Sequence, residues 1–245
     1  MSAASVLYTV APKYTGVKAS KQKALIDALD PFFYKVLKDW GIDTKQRIAC
    51  FIGQTMVECD YYTTTVEYGP ARPNYEGGYK GRGLIQLTHL SNYRAAGKDL
   101  GLDLVNHPEI AERPYEALLV SCWFWKKNNL NRWADANDLK ALGNAINRGN
   151  PNYSGYSLGH SARVQYTEKA KQALINEDIS VKTPMTEQTA VATGTIGLLS
   201  VGLFFQEYWI PLTLSAGYRG WEDRTLRPDD FAGIWGAKVV YATCG

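Results

Sequence analysis

Apolar residues recur at helical spacing along the first two-thirds of the chain. In residues 19–40 this spacing predicts one helix, which Pro31 either kinks or leaves intact. Residues 43–59 predict a second helix, for which Asp43 and Gln46 form a start like a capping box. Its expected buried face comprises Ile48, Phe51, Ile52, Thr55, Met56 and Cys59.

Further helices are predicted at residues 92–101, from Pro114 onwards and at 135–147. The helix after Pro114 is apolar on nearly every side, which is typical of a central buried helix. Residues 1–18 show little periodicity and are interpreted as an N-terminal arm. The pattern as a whole predicts a mainly α fold.

Polar side chains that could take part in catalysis or binding are concentrated in residues 51–93. Glu58 lies near the last turn of the second predicted helix, at the margin of its apolar face. Partial burial and the negative end of the helix dipole both disfavour a charged carboxylate there. A carboxyl that stays protonated near neutral pH is what a general acid requires. A surface glutamate at a frayed helix end fits the same position.

A second glutamate, Glu67, follows nine residues later. The intervening run, 61–66, is polar and β-branched, which suits a strand or extended loop that folds back beside the helix. Two carboxyls flanking a groove are the minimum for glycoside hydrolysis, because one protonates the leaving oxygen while the other activates water. Residues 77–83 are rich in glycine, which permits a backbone to approach a ligand closely.

The run YKGRGLIQLT at 79–88, followed by Asn92 and Tyr93, resembles the signature of glycoside hydrolase family 19. That family holds chitinases and many phage endolysins. The resemblance covers residues 20–175. It implies a lysozyme-like, bilobal helical domain with a short β or loop segment beside the cleft.

The resemblance also implies roles for individual residues. Glu58 is the implied general acid, and the Thr88 hydroxyl is implied to help hold the nucleophilic water. Glu67 is the implied general base, with Glu76 as the alternative. The residues expected to bind substrate are Tyr79, Arg82, Gln86, Asn92, Asn147 and Arg163.

The chain departs from the family pattern in two places. Val57 precedes the acid and Cys59 follows it, where members usually carry His and then Ser or Thr. Residues 146–149 resemble the family's INGG element, with Arg148 in place of a glycine, which suits an anionic substrate. Arg163 is interpreted either as orienting the base or as a capping and pairing residue on the surface.

The last quarter of the chain differs in composition. We interpret 19–176 as the catalytic domain, 177–189 as a linker and 190–245 as a small C-terminal module. Residues 190–216 are apolar, but the charge-free run 190–205, sixteen residues before Gln206 and Glu207 interrupt it, is shorter than the roughly 20 that span a bilayer. A packed module for wall binding or oligomerisation, a membrane-active segment and a segment docked on the catalytic domain all stay open.

Charge, cysteine content and the N-terminal residues limit the classes of function that the protein can have. The net charge of +3 suits an anionic polymer such as a bacterial wall, but it is equally compatible with neutral substrates. No run of lysine or arginine indicates nucleic-acid binding. The four cysteines are expected to be buried free thiols, and the three scattered histidines predict neither a metal nor another cofactor. The first residues lack a signal-peptide pattern, which predicts a protein held in the host bacterial cytoplasm before lysis.

The sequence therefore predicts a peptidoglycan-degrading glycosidase of the endolysin type, which hydrolyses β-1,4 bonds between N-acetylated amino sugars. Membrane contact through 190–216 is a further hypothesis. Two alternatives stay open: a chitinase that acts on chitin oligomers, and a non-catalytic wall-binding or virion protein with the same fold. The intact set of polar residues in the motif region argues against the non-catalytic alternative.

Overall fold

Nine α-helices build the part of the chain that the computed structural model describes, residues 2–71 and 78–175. In chain order they are α1 (Ala3–Val10), α2 (Gly16–Leu29), α3 (Phe33–Asp39), α4 (Lys45–Glu58), α5 (Leu90–Leu100), α6 (Pro114–Lys127), α7 (Asn131–Asp135), α8 (Leu139–Arg148) and α9 (His160–Leu174). A 3₁₀ helix, Pro108–Glu112, lies between α5 and α6. The predicted mainly α fold is confirmed. Glu76, the linker 177–189 and the module 190–245 lie outside the described residues.

The N-terminus is helical, so the predicted arm is wrong for residues 3–10. Val6, Leu7 and Val10 are buried in the main core. Their spacing is that of one helix face, but eight residues are too few for the period to stand out in the sequence. Ser2 caps the helix, because its side chain accepts a hydrogen bond from the Ser5 N–H at 3.2 Å.

Two helix boundaries also differ from the predicted ones. The single helix expected over 19–40 is divided into α2 and α3 around Pro31, since proline has no N–H to donate and its ring obstructs the preceding turn. The N-cap of α4 is Thr44, whose side chain accepts from the Arg47 N–H at 3.1 Å. Asp43, the predicted cap, pairs with the Arg47 guanidinium instead.

Helix α4 is the centre of the main core. The predicted buried face is confirmed, and every residue from Ile48 to Met56 is buried. Helix α4 is therefore more enclosed than α6, the predicted central helix, which keeps Leu119 and Phe124 only partly buried. A smaller cluster around Tyr93 forms a second core beneath α5. Two cores fit the predicted bilobal arrangement.

Packing of α4 against α9 depends on Gly53. A Cβ atom at this position would lie 2.0 Å from the Thr167 hydroxyl oxygen and 2.7 Å from the Thr167 backbone nitrogen. We expect Gly53→Ala to lower the free energy of unfolding, measured in urea, by roughly 1–3 kcal/mol, because the helices must separate to admit the methyl group. Adding Thr167→Ala should recover only part of this loss, since the backbone nitrogen still obstructs. A Gly53→Ala variant as stable as wild type would contradict this packing.

A short antiparallel segment follows α4. Val66 pairs with Arg82 and Arg82 pairs with Leu87, each as an isolated bridge. The sequence predicts a strand or extended loop for 61–66, but the run begins as a turn, in which Tyr61 has a φ of 61°. Only Val66, at the end of the run, pairs with another segment. The run therefore folds back as predicted, but it does so through a turn and not as a strand.

Three of the cysteines, Cys50, Cys59 and Cys122, are buried free thiols as predicted. Burial raises the pKa of Cys50 to about 12, which keeps this thiol protonated. Cys244 lies outside the described residues. Across 2–71 and 78–175, no cluster of His, Cys, Asp and Glu could hold a metal ion. None of the helices in these ranges is long and apolar enough to cross a membrane.

Candidate active site

Glu58 is the last residue of α4, and its carboxylate meets a buried arginine. Arg163 Nη2 donates to Glu58 Oε1 at 2.5 Å, and Arg163 Nη1 donates to Gln54 Oε1 at 2.9 Å. Arg163 is 1% exposed, whereas 15% of the Glu58 side chain remains exposed. Gln54 precedes Glu58 by about one helical turn, so one guanidinium holds both side chains on the same face of α4. The Glu58 carboxyl therefore has a fixed orientation and a narrow opening to solvent.

Arg163 contacts the predicted acid rather than the predicted base, and it is not a surface residue. Its third nitrogen, Nε, donates to the Leu158 carbonyl at 3.0 Å. All three guanidinium nitrogens are thus engaged within the protein. Both sequence-based interpretations of Arg163 are corrected: it is placed to orient Glu58, and its predicted contact with substrate stays a prediction.

Asn147 holds the loop that precedes α9. Its Oδ1 accepts a hydrogen bond from the Leu158 N–H at 3.0 Å, while the Leu158 carbonyl binds Arg163. Asn144, one turn earlier in α8, donates to the carbonyls of Tyr153 and Gly155 at 3.2 Å each. The loop 149–159 is therefore fastened next to the Glu58 ion pair. Contact of Asn147 with a sugar stays a prediction.

A left-handed turn follows Glu58 directly. Asp60, Tyr61 and Tyr62 have φ angles of 47°, 61° and 61°. This conformation costs roughly 1–2 kcal/mol per residue other than glycine. The Tyr61 N–H donates to the Met56 carbonyl at 2.7 Å, which is the six-residue bond of a Schellman motif, and glycine is usual where Asp60 stands. Complete burial of Tyr62 offsets part of the cost.

Glu67 is anchored to the glycine-rich motif at both its backbone and its side chain. The Glu67 N–H donates to the Gly81 carbonyl at 2.8 Å, and Glu67 Oε2 accepts from the Gly81 N–H at 3.1 Å. The side chain is half-buried. One glycine thus sets the direction of the second carboxylate.

The register of the short antiparallel segment aligns Glu67, Gly81 and Thr88. The two bridges made by Arg82 place Gly81 opposite Glu67 on one side and opposite Thr88 on the other. At the usual spacing between strands, Glu67 and Thr88 are about 10 Å apart across Gly81. The Gln86 side chain lies against Gly81, where a Cβ atom would be 2.8 Å from Gln86 Oε1. Among the described residues, the Thr88 hydroxyl makes no hydrogen bond, so it is available to bind a water.

The sequence predicts that the backbone of the glycine-rich motif approaches a ligand closely. At Gly83 the backbone approaches a helix instead. Gly83 has a φ of 82°, and a Cβ atom there would lie 2.7 Å from Val120 Cγ2 and 3.1 Å from the Ala117 carbonyl oxygen. Both neighbours belong to α6. This glycine therefore seats the motif on the core.

Tyr79 and Arg82 hold the motif in place through their own hydrogen bonds. The Tyr79 hydroxyl donates to the Val105 carbonyl at 2.7 Å. Arg82 pairs with Glu112 at 2.7 Å and donates to the Tyr93 hydroxyl at 3.1 Å. These bonds link the motif to the 3₁₀ helix and to α5. That Tyr79 and Arg82 bind substrate stays a prediction.

Gln86 and Asn92 surround the turn that carries Thr88. Gln86 Nε2 donates to the Gly83 carbonyl at 2.9 Å, and Asn92 Nδ2 donates to the Thr88 carbonyl at 2.9 Å. Each bond uses one of the two hydrogens on the amide nitrogen. The remaining amide groups suit the sugar contacts predicted for both residues.

Sequence reasoning missed Gln54 and the partners of Asp60. Gln54 could have been found, since it lies one turn before Glu58 on the same helix. Asp60 pairs with Lys18 at 3.0 Å and accepts from the Tyr68 hydroxyl at 2.8 Å. Lys18 is 42 positions away in the chain, and no sequence signal joins the two.

Comparison with known proteins gives matches among chitinases. The family described as chitinase class I, Glyco_hydro_19, matches residues 39–140. Chitinase 11 of Oryza sativa subsp. japonica is 33% identical over 158 residues, which are 52% of this chain and 62% of that protein. An acidic endochitinase of Petunia hybrida is 42% identical over 97 residues, 35% of this chain and 38% of that protein. The chain thus spans less than two thirds of the length of these relatives.

A solved structure shares the fold. A mutant of chitinase C aligns with a TM-score of 0.50 and 22% identity, over 72% of this chain and 95% of that chain. The described domain is therefore of the lysozyme-like helical class. Within that class, residues 39–140 match the family Glyco_hydro_19, in agreement with the resemblance of the motif.

Proposed function

We propose that the chain is a glycoside hydrolase that cleaves β-1,4 bonds next to N-acetylated amino sugars by general acid/base catalysis. The observation that carries this proposal is the bond between Glu58 and the buried Arg163, which fixes a half-buried carboxyl at the end of α4. Glu67, held through Gly81, supplies the second carboxyl that glycoside hydrolysis needs.

In the proposed reaction, Glu58 first takes a proton from solvent. It gives this proton to the glycosidic oxygen of the leaving sugar as the bond from that oxygen to the anomeric carbon breaks, and the resulting carboxylate pairs again with Arg163. Glu67 takes a proton from a water whose oxygen attacks the same carbon from the opposite face. The Thr88 hydroxyl, aligned with Glu67 across Gly81, orients that water. Each fragment ends with a hydroxyl group, and proton exchange with solvent restores both carboxyls. Direct attack by water inverts the anomeric configuration.

Chitin oligomers are the first substrate candidate. The relatives from Oryza sativa and Petunia hybrida are named as a chitinase and an endochitinase. Peptidoglycan, the substrate that the sequence predicts, has no such support. The endolysin role, membrane contact through 190–216 and storage in a host cytoplasm before lysis stay predictions.

Peptidoglycan is the second candidate because of two cations beside the loop 149–159. Arg148 lies over the Tyr153 ring at 5.3 Å, and Lys140 lies over the Tyr156 ring at 5.0 Å. Both tyrosines are exposed. Leu158 of the same loop binds Arg163, so this basic edge adjoins the proposed acid. Carboxylates of a wall polymer could pair with it, whereas chitin is neutral.

The proposal predicts the products of a digestion by the full chain. Purified chitin oligomers and purified Gram-negative sacculi are incubated in parallel, and the fragments are identified by mass spectrometry. We expect new reducing sugar ends from the chitin oligomers, and nuclear magnetic resonance should show the α-anomer first, because the reaction inverts. Reducing ends from sacculi alone would make peptidoglycan the substrate. Peptide-bond products, or no cleavage of either polymer, would overturn the glycosidase proposal.

A further inference from the structure

A cluster of side chains joins the two chain segments that carry the proposed catalytic carboxyls. Asp60 lies two residues after Glu58, and Tyr68 lies one residue after Glu67. The Tyr68 hydroxyl donates to Asp60 Oδ2 at 2.8 Å. Lys18 of α2 pairs with the same carboxylate at 3.0 Å. The Asp60 carboxylate is thus the point at which α2, the end of α4 and the Glu67 segment meet.

The contacts of Asp60 keep it charged. Partial burial acts to raise its pKa, but hydrogen bonds from Lys18, Tyr68 and Thr63 outweigh burial and hold the pKa below its ordinary value. The hydrogen bond from Lys18 to Asp60 raises the pKa of Lys18 in turn. The Lys18 ammonium also lies 4.3 Å from the centre of the Tyr14 ring. The ion pair therefore persists throughout the neutral range.

The helix end does not itself require an acidic side chain at position 60. Glycine is usual at this left-handed position of a Schellman motif, and it would remove the strain that Asp60 bears. The carboxylate must therefore serve another purpose than ending α4. Its remaining contacts all lead to Lys18, to Thr63 in the following turn, or to Tyr68 beside Glu67.

We propose that Asp60 is a positioning residue that, with Tyr68 and Lys18, holds the Glu67 segment at a constant distance from Glu58. This inference rests on the proposed function. Inverting hydrolysis needs a separation that admits one water between the substrate and the base. Gly81 fixes the direction of the Glu67 carboxylate. Asp60, Tyr68 and Lys18 hold the segment that contains Glu67 next to α4, the helix that carries Glu58. A small displacement of either group slows the reaction much more than it weakens substrate binding.

The cluster has a matched counterpart elsewhere in the molecule. The Tyr8 hydroxyl donates to Asp27 at 2.7 Å, and Asp27 also pairs with Lys23. The chemistry is therefore the same: a tyrosine hydroxyl and a lysine share one aspartate. Asp27 lies about 13 Å further along α2 than Lys18, and the proposed mechanism does not use it. Tyr8→Phe is thus a control that removes the same kind of bond.

The test compares Tyr68→Phe with Tyr8→Phe in the full chain. Each variant is assayed on whichever of chitin oligomers or sacculi the wild type cleaves. We expect Tyr68→Phe to lower kcat about tenfold while KM stays within about twofold of wild type, and Tyr8→Phe to change neither. Thermal unfolding should be similar in the two variants, because each loses one hydroxyl. Equal kcat values in Tyr68→Phe and Tyr8→Phe would overturn the proposal.

Variants at the other two positions separate positioning from folding. Asp60→Gly keeps the left-handed turn but loses the carboxylate, so it should fold and show the same loss of kcat as Tyr68→Phe. Lys18→Met should also lower kcat, and Lys18→Arg should restore most of it because the ion pair is kept. A folded Asp60→Gly variant with wild-type kcat would contradict the inference.

A readout that needs no activity separates this inference from the proposed function. Hydrogen exchange of peptides that cover residues 63–69 should be faster in Tyr68→Phe and Asp60→Gly than in wild type, but unchanged in Tyr8→Phe. If the wild type is inactive but the variants show this exchange pattern, the proposed reaction is refuted. The cluster would then still be shown to hold the Glu67 segment in place. An active wild type whose variants exchange and turn over normally would refute the positioning role alone.

Discussion

Replacing Glu58 by glutamine is expected to lower kcat by about 10²–10⁴-fold, since proton donation by a positioned side chain contributes about that much. Glutamine has the shape of glutamate, and its amide oxygen can still accept from Arg163. It has no acidic proton to give to the leaving oxygen. Initial rates on the cleaved substrate would show the effect in kcat, with KM nearly unchanged because the cleft keeps its shape.

Glu116→Gln is the matched control for Glu58→Gln. Glu116 is another half-buried glutamate, in the first turn of α6, where burial raises its pKa. It takes no part in the proposed reaction, so its replacement should leave kcat unchanged. Substantial activity in Glu58→Gln, with unfolding like that of wild type, would remove Glu58 from the role of acid.

Replacing Arg163 by methionine is expected to lower the free energy of unfolding by about 3–5 kcal/mol, the usual effect of removing one partner from a buried ion pair. Methionine fills part of the volume but leaves the Glu58 carboxylate, the Gln54 amide oxygen and the Leu158 carbonyl without their donor. For a domain of this size the melting temperature should fall by roughly 10 °C. kcat should also fall, because the Glu58 carboxyl loses its fixed orientation.

Arg132→Met controls for the substitution itself. Arg132 is exposed on α7, where it lies over the Trp133 ring at 4.4 Å. Its loss should change the free energy of unfolding by no more than about 0.5 kcal/mol. If Arg163→Met unfolded at the same temperature as Arg132→Met, the buried ion pair would contribute nothing to the fold.

The two enzyme candidates and the non-catalytic alternative differ in what these variants would do. A chitinase and a peptidoglycan glycosidase both lose activity in Glu58→Gln and differ only in the polymer cleaved. A binding protein with the same fold would lose stability in Arg163→Met but would show no turnover in wild type. The stability and activity measurements together therefore separate all three.

The helices and the motif could be read from the sequence because their signals are local. The buried face of α4 follows from the spacing of Ile48, Phe51 and Ile52, and each of these residues is buried in the structure. The prediction of helix α6 from Pro114 holds because proline at the first helical position loses no hydrogen bond. Errors arose where local signals were weak or ambiguous, as in the eight residues of α1 and at Pro31.

Only the tertiary structure decided which side chains act together at the site. Glu58 and Arg163 are 105 positions apart, and they meet because Gly53 lets α9 approach α4. Lys18 and Asp60 likewise meet only when α2 packs near the end of α4. The sequence by itself determined the helical class, the resemblance to the family and the two candidate glutamates. The orientation of those glutamates depends on contacts between distant segments, which the local pattern of hydrophobic and polar residues does not encode.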